Sequence, residues 1–326
     1  MPDNYRDGIA EFIFDEGTSA KYDMQRYNQD LDMVKIAELN SASLIAVKIQ
    51  ISQNYQRTRY FQDSMDLIKE IMELLKSALL TNTAVKRIKF VCENNPNIED
   101  PYHIALVQMV LDNILEVLNV NTTIIELDFR IQINKVLCNS MPAIAGILSE
   151  NSYIKNFKIY DLDNSEIRLL ATAMCKNNTL IELTIYGSNL GSKIINIETV
   201  ELLVDALKEK DKLDALDLRG MHFADRDAYV VKLAEIFQSD KCKIKTLNLY
   251  GGGICLVKSA SLKTLQDAIY QSQTIHARKV DLVMNYTIRN IDNLLFFTKN
   301  AIKEALDTVY NSLATDNLSR CKVKVE

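Results

Sequence analysis

The chain of 326 residues has no tryptophan, four prolines, nine glycines and three histidines. So little proline and glycine excludes collagen-like and low-complexity disordered chains, whose compositions those residues dominate. His103, His222 and His276 are too scattered to suggest a zinc site. The six cysteines, at 92, 138, 175, 242, 255 and 321, contain no Cys-x-x-Cys pair. Such scatter suits free thiols in a reducing compartment better than a disulfide framework. No apolar run approaches the length of a membrane span. The opening MPDNYRDG lacks the apolar core of a secretory signal. A cytoplasmic protein is the expectation, or one delivered to another cell's cytoplasm without a cleaved leader.

What is present is hydrophobic material. With 48% hydrophobic and 25% charged residues, the chain has the composition of a soluble globular protein with a large core. Residues 1–43 hold nine acidic and four basic side chains, which accounts for the whole net charge of −5 and leaves 34 of each sign in residues 44–326. A neutral body gives no electrostatic case for nucleic acid, which needs a basic face to displace counterions.

A short pattern recurs along that body: an apolar residue, two others, an apolar residue, one other, an apolar residue. Clear copies are Leu180/Leu183/Ile185, Leu213/Leu216/Leu218 and Ile244/Leu247/Leu249. Looser copies are Leu44/Val47/Ile49, Val85/Ile88/Phe90, Ile124/Leu127/Phe129, Ile154/Phe157/Ile159 and Ala277/Val280/Leu282. The middle positions are 41, 39, 30, 26, 33, 31 and 33 residues apart. Within each copy the last two apolar residues have strand spacing. Beyond it lies a polar stretch, then apolar residues at helical spacing, such as Ile167, Leu170, Ala171 and Met174. Ser64, Ser140, Asn164 and Asp225 read as helix caps.

One strand and one helix cannot bury both apolar faces alone, so copies must stack side by side, giving a parallel sheet with helices on its outer face. A helix is wider (about 10 Å) than the strand spacing (about 4.8 Å), so the stack curves with strands inside. The units resemble leucine-rich repeats, and "NTLIELTIYGSNL" at 178–190 matches that family's strand segment. Their length and full helices resemble the ribonuclease-inhibitor-like subfamily, over most of the chain from about Leu44 onward. The resemblance implies an α/β solenoid, a leucine-rich-repeat horseshoe with a parallel inner sheet and outer helices. Residues 1–43 then form an acidic N-terminal segment or cap, with Asp30–Leu39 as a short helix, and residues 44–326 the repeat domain, closed by a helix near Asn290–Leu313. The family places Asn or Cys three residues after the last strand leucine; here Ser52, Glu93, Gln132, Leu162, Ser188, Met221, Gly252 and Asn285 stand there, and only the last fits. A doubly wound α/β fold also alternates strands and helices, but it demands strands apolar on both faces.

Catalytic patterns are missing. Gly251-Gly252-Gly253 follows a strand but lacks the Gly-Lys-Ser/Thr of a phosphate loop. Asp161, Asp163 and Glu166 lack the glycine and spacing of a calcium loop. Cys175, beside Met174, reads as core, Cys242 as a turn thiol and His222 as loop surface. No enzyme activity, cofactor or metal is expected.

The inner face carries the functional reading. The position after the last apolar residue gives Gln50, Val91, Arg130, Tyr160, Tyr186, Arg219, Tyr250 and Val283. Five consecutive copies carry Arg or Tyr, residue types enriched at interface hot spots. Arg130, Tyr160, Tyr186, Arg219 and Tyr250 are therefore the candidate protein-binding residues of a monomeric interaction scaffold. The composition and imperfect repeats also resemble repeat-containing effectors of bacterial pathogens, which implies a host protein as partner. Families with related repeats imply two alternatives, regulation of a small GTPase and binding of actin.

Overall fold

The structure is a computed structural model, and it describes residues 9–15, 46–52, 61–93, 101–187, 193–250, 257–276 and 280–283. The chain falls into two compact units, Met1–Tyr160 and Asp161–Glu326. The expected helices at Asp30–Leu39 and Asn290–Leu313, the Gly251–Gly253 cluster, Cys255 and Cys321 lie outside the described residues.

In the first unit, strands β1 (Ile9–Asp15), β2 (Ala46–Ser52), β3 (Arg87–Glu93), β4 (Glu126–Ile131) and β5 (Asn156–Tyr160) pair in sequence order, every pair parallel. The helices α1 (Phe61–Thr81), α2 (Pro101–Val120) and α3 (Asn134–Glu150) connect them and pack on one another in the same order. Register explains the pattern read from sequence: Val47, Ile88, Leu127 and Phe157 are successive partners. They and the residues two further on are buried, while Lys48, Lys89, Asp128 and Lys158 between them are not. Alternation of this kind marks a sheet covered on one face.

The second unit repeats the arrangement. Strands β6 (Glu182–Tyr186), β8 (Ala215–Asp217), β10 (Thr246–Asn248) and β11 (Asp281–Val283) are parallel and ordered as in sequence. Two short strands, β7 (Ile194–Ile195) and β9 (His222–Phe223), pair separately. Helices α4 (Asn164–Lys176), α5 (Ile197–Lys208), α6 (Arg226–Gln238) and α7 (Ser259–His276) pack successively. Ile167, Leu170, Ala171 and Met174 of α4 form a buried stripe, as do Val200, Leu203, Val204 and Leu207 of α5. Among the described strands neither unit shows the reversal of order that a doubly wound sheet requires.

The turns from helix to strand carry a polar ladder. In the first unit Asn82, Asn121 and Asn151 each accept, through Oδ1, two backbone N–H groups of the following turn. Asn121 also donates to the carbonyls of Leu79 (2.7 Å) and Asn82 (3.3 Å) in the preceding repeat. In the second unit Asn177 makes the same turn. One repeat later Lys210 takes the place, its buried ammonium donating to the carbonyls of Cys175 (3.1 Å) and Asn177 (2.7 Å). Burial holds the Lys210 ammonium below its ordinary pKa.

Several expectations need correction. Residues 1–43 include a strand: β1 aligns Ala10 and Phe12 with Val47 and Ile49. The pattern is hidden there because Asp7 stands where the first apolar residue belongs. In the last repeat Leu282, not Val280, pairs with Leu247, so that copy is displaced by two residues. A two-residue slip keeps every side chain on its own face, so alternation alone cannot detect it. Among the caps, Asp225 is right, accepting from Ala228 N–H. Helix α4 is capped by Asp163 in a capping box with Glu166, one residue ahead of Asn164. Ser64 and Ser140 lie inside α1 and α3; Ser140 precedes Pro142, which mimics a helix start. Cys175 is exposed, because the residue after Met174 has turned away from the buried stripe. His222 belongs to β9 and is half-buried, and Cys242 is buried.

Candidate functional site

The candidate residues lie on the face of each sheet opposite the buried strand residues, a face that, among the described elements, the helices leave uncovered. Arg130 and Tyr160 close the outward rows of β4 and β5 in the first unit. Both are half-buried, and the Arg130 guanidinium carbon lies 5.7 Å from the centroid of the Tyr160 ring. In the second unit the same geometry recurs with the order reversed: Arg219 lies over Tyr186, 5.5 Å from its centroid. A guanidinium at that distance from an aromatic face gains about 0.5–1 kcal/mol where solvent reaches it. Tyr250 is half-buried at the corresponding place after β10.

Backbone bonds beyond the strand ends set this spacing. Gly187 N–H donates to Arg219 O and Gly220 N–H to Tyr250 O, each at 2.8 Å, so Tyr186, Arg219 and Tyr250 stay in adjacent rows. A Cβ on Gly187 would meet Gly220 O at 2.2 Å, and Gly220 has a φ of +69°, which L side chains rarely adopt. In the sequence, Tyr186-Gly187, Arg219-Gly220 and Tyr250-Gly251 repeat one signal in three successive copies.

Charge fixes the arginine. Asp217 takes Arg219 by both oxygens, Nε to Oδ1 at 3.0 Å and Nη2 to Oδ2 at 2.8 Å. The same carboxylate accepts from Asn248 Nδ2 at 3.3 Å. Asp217 thereby orients the guanidinium toward Tyr186 and ties β8 to β10. In the first unit Glu126 meets Arg87 at 2.8 Å and Lys158 at 3.4 Å, while Asp128 meets Lys89 at 3.9 Å. Burial pushes the Asp128 carboxyl up, opposed by Lys89, Lys158 and Arg130.

A second polar group lies below Tyr186. A shallow cleft, with room for about one water, is lined by Asp161, Tyr186, Gly187, Lys193, Gly220 and His222 among others. Lys193 donates to the Asp161 carbonyl and lies 3.4 Å from Glu166 Oε2, which also accepts from Asp163 N–H at 2.6 Å. Burial raises the Glu166 carboxyl above its ordinary value. For Asp163, burial also pushes upward, but donation from Glu166 N–H and Ser165 outweighs it and the carboxyl lies lower than usual. These groups are engaged in capping and pairing. Among the described residues no cluster of three or more His, Cys, Asp or Glu is arranged to hold a metal.

No family model and no curated protein matches the chain. Among solved structures, Leiomodin-1 Actin-Binding Site 2 (ABS2) is similar with a TM-score of 0.41 and 14% identity, over 51% of this chain and 91% of that one. A likeness of that size carries no argument about fold or function.

Proposed function

We propose that the chain is a leucine-rich-repeat protein of the ribonuclease-inhibitor-like type whose uncovered sheet face binds a partner protein. The repeat reading is supported by strand–helix copies ordered as in sequence and joined by side-chain ladders at equivalent turns. Wider helices outside and narrower strand spacing inside then bend the stack into a concave binding face.

The observation that carries the binding role is the recurrence, in each unit, of an Arg stacked on a Tyr at the same repeat position of an uncovered sheet face. A sheet holds such side chains rigidly, so they lose little entropy on contact, and each ring offers a large area to bury. The role is one of binding without catalysis. The free, exposed thiols of Cys138 and Cys175 suit a reducing cytoplasm, that of a host cell if the chain is an effector.

The experiment is affinity capture from cell lysate with the wild-type chain and the folded Tyr186→Ala/Arg219→Ala variant, read by quantitative mass spectrometry. The binding role predicts one or more proteins captured by the former and depleted with the latter. Identical capture by both would remove this face from the interface.

A further inference from the structure

Asn121-Thr122-Thr123 and Asn177-Asn178-Thr179 have the form Asn-x-Thr, the acceptor sequon of N-linked glycosylation. Two further sequons, Asn285-Tyr286-Thr287 and Asn317-Leu318-Ser319, lie outside the described residues. In a protein that carries such glycans the acceptor belongs on a surface loop, because the sugar must reach solvent. Both ladder positions break that rule, Asn121 being 6% and Asn177 3% exposed. The fold turns their side chains to its own use. Asn121 Nδ2, the atom a sugar would attach to, donates to Leu79 O at 2.7 Å and Asn82 O at 3.3 Å in the preceding repeat. Asn177 Oδ1 accepts from the N–H groups of Thr179 and Leu180, and its backbone carbonyl receives the buried Lys210 ammonium at 2.7 Å. Thr123, which completes the first sequon, bonds through its hydroxyl to Asn82 O, Val85 O and Asn121 Oδ1. Sequon and ladder therefore compete for the same residues.

We infer that the chain folds in a compartment without asparagine glycosylation, and that a secretory lumen would modify Asn121 and Asn177 at the expense of the fold. Transfer acts on the nascent, unfolded chain, in which both asparagines are open to the enzyme. The amide Nδ2 attacks C1 of a sugar carried on a lipid pyrophosphate. The C1–N bond forms, the C1–O bond to pyrophosphate breaks, and the amide releases one proton. The product keeps a single N–H on Nδ2 and carries a bulky, hydrated group. Asn121 then has one donor for the two carbonyls it serves, and the sugar has no room between successive repeats. A buried carbonyl left without its partner costs about 1–3 kcal/mol, and the steric conflict adds to that. This inference assigns a folding compartment from the ladder and is independent of the binding role of Tyr186 and Arg219.

The test routes the full chain, behind a cleavable signal peptide, into the secretory pathway of cultured animal cells. Thr287→Ala/Ser319→Ala is present throughout, so only the two ladder sequons remain. Expected results are glycans on Asn121 and Asn177, located by peptide mapping after enzymatic deglycosylation, and loss of secretion. An inhibitor of lipid-linked sugar synthesis should restore a secreted chain with the urea midpoint of the same chain made in a bacterial cytoplasm. Thr123→Ala/Thr179→Ala, which removes both sequons and keeps both asparagines, should be secreted without the inhibitor, its bacterially made form first shown folded by circular dichroism. The inhibitor arm needs no such substitution. A secreted, folded chain with a glycan on Asn121 or Asn177 would overturn the proposal. So would secretion with both positions unmodified in untreated cells, or retention that the inhibitor leaves unchanged.

Discussion

Arg219 is held from two directions, its guanidinium 5.5 Å from the ring centroid of Tyr186 and clamped by both oxygens of Asp217. The backbone beneath it is set by the contact between Gly187 and Gly220. Gly220→Ala places a Cβ 2.4 Å from Gly187 O at a φ of +69°. It should cost more than about 2 kcal/mol of unfolding free energy, the left-handed penalty plus displacement of a backbone carbonyl. Urea denaturation measures this, and an unchanged midpoint would contradict the tight approach.

The ladder should be as sensitive as the core. Asn121→Ala removes an acceptor for Thr123 and Ile124 N–H and the donor to Leu79 O and Asn82 O. Buried groups left without partners cost about 1–3 kcal/mol each, so a total loss of about 2–4 kcal/mol is expected. Leu183→Ala, at a position 1% exposed, should cost about 2–5 kcal/mol. If Asn121→Ala loses less than about 0.5 kcal/mol, the turn bonds contribute nothing beyond what water replaces.

Tyr229 gives the opposite sign. Its ring stacks on Phe223 in the second unit's core, and its hydroxyl is buried without a hydrogen-bond partner. Burial drives its pKa far upward. Tyr229→Phe removes only the unpaired hydroxyl and should leave stability unchanged or raise it by up to about 1 kcal/mol. A loss above about 1 kcal/mol would mean that the hydroxyl is bonded.

The capping box predicts a pH dependence. Asp163 has a carboxyl held below the ordinary aspartate value of 3.8. A depressed folded-state pKa adds stability that is present above the unfolded value and is lost as pH falls through the folded one. The stability difference between wild type and Asp163→Asn should therefore be constant near neutrality and shrink below pH 3.8. Glu166 and Asp128, both raised by burial, act in the reverse sense. Chemical denaturation of both proteins at several pH values measures the difference; a gap that widens in acid would contradict the assignment.

Most of the strand positions were legible because one-sided burial writes itself as alternation: Leu183, Leu216 and Leu247 are register partners as well as sequence equivalents. Where alternation is insufficient, the reading slipped. It cannot separate Val280 from Leu282, which face the same way, and it fails at β1, where Asp7 and Ala10 dilute the apolar signature. The leucine-rich-repeat pattern puts a ladder residue three positions after the last strand leucine, whereas the ladder lies ahead of the strands, at Asn82, Asn121, Asn151 and Asn177, visible in sequence only as polar turns. Lys210 in that series has no signature of its own, since a lysine at a turn ordinarily faces solvent. The Arg and Tyr rows were readable from repeat phase, but the stacking of Arg130 on Tyr160 and Arg219 on Tyr186 needs rotamers.

The binding role itself is tested most directly by one affinity. With a captured partner in hand, its dissociation constant is measured by isothermal titration calorimetry for the wild-type chain and for Tyr186→Ala/Arg219→Ala, both shown folded by circular dichroism. The account predicts a loss of about 1–3 kcal/mol for each side chain removed, with unfolding free energy changed by no more than about 0.5 kcal/mol per site. An unchanged dissociation constant in a folded double variant would contradict it.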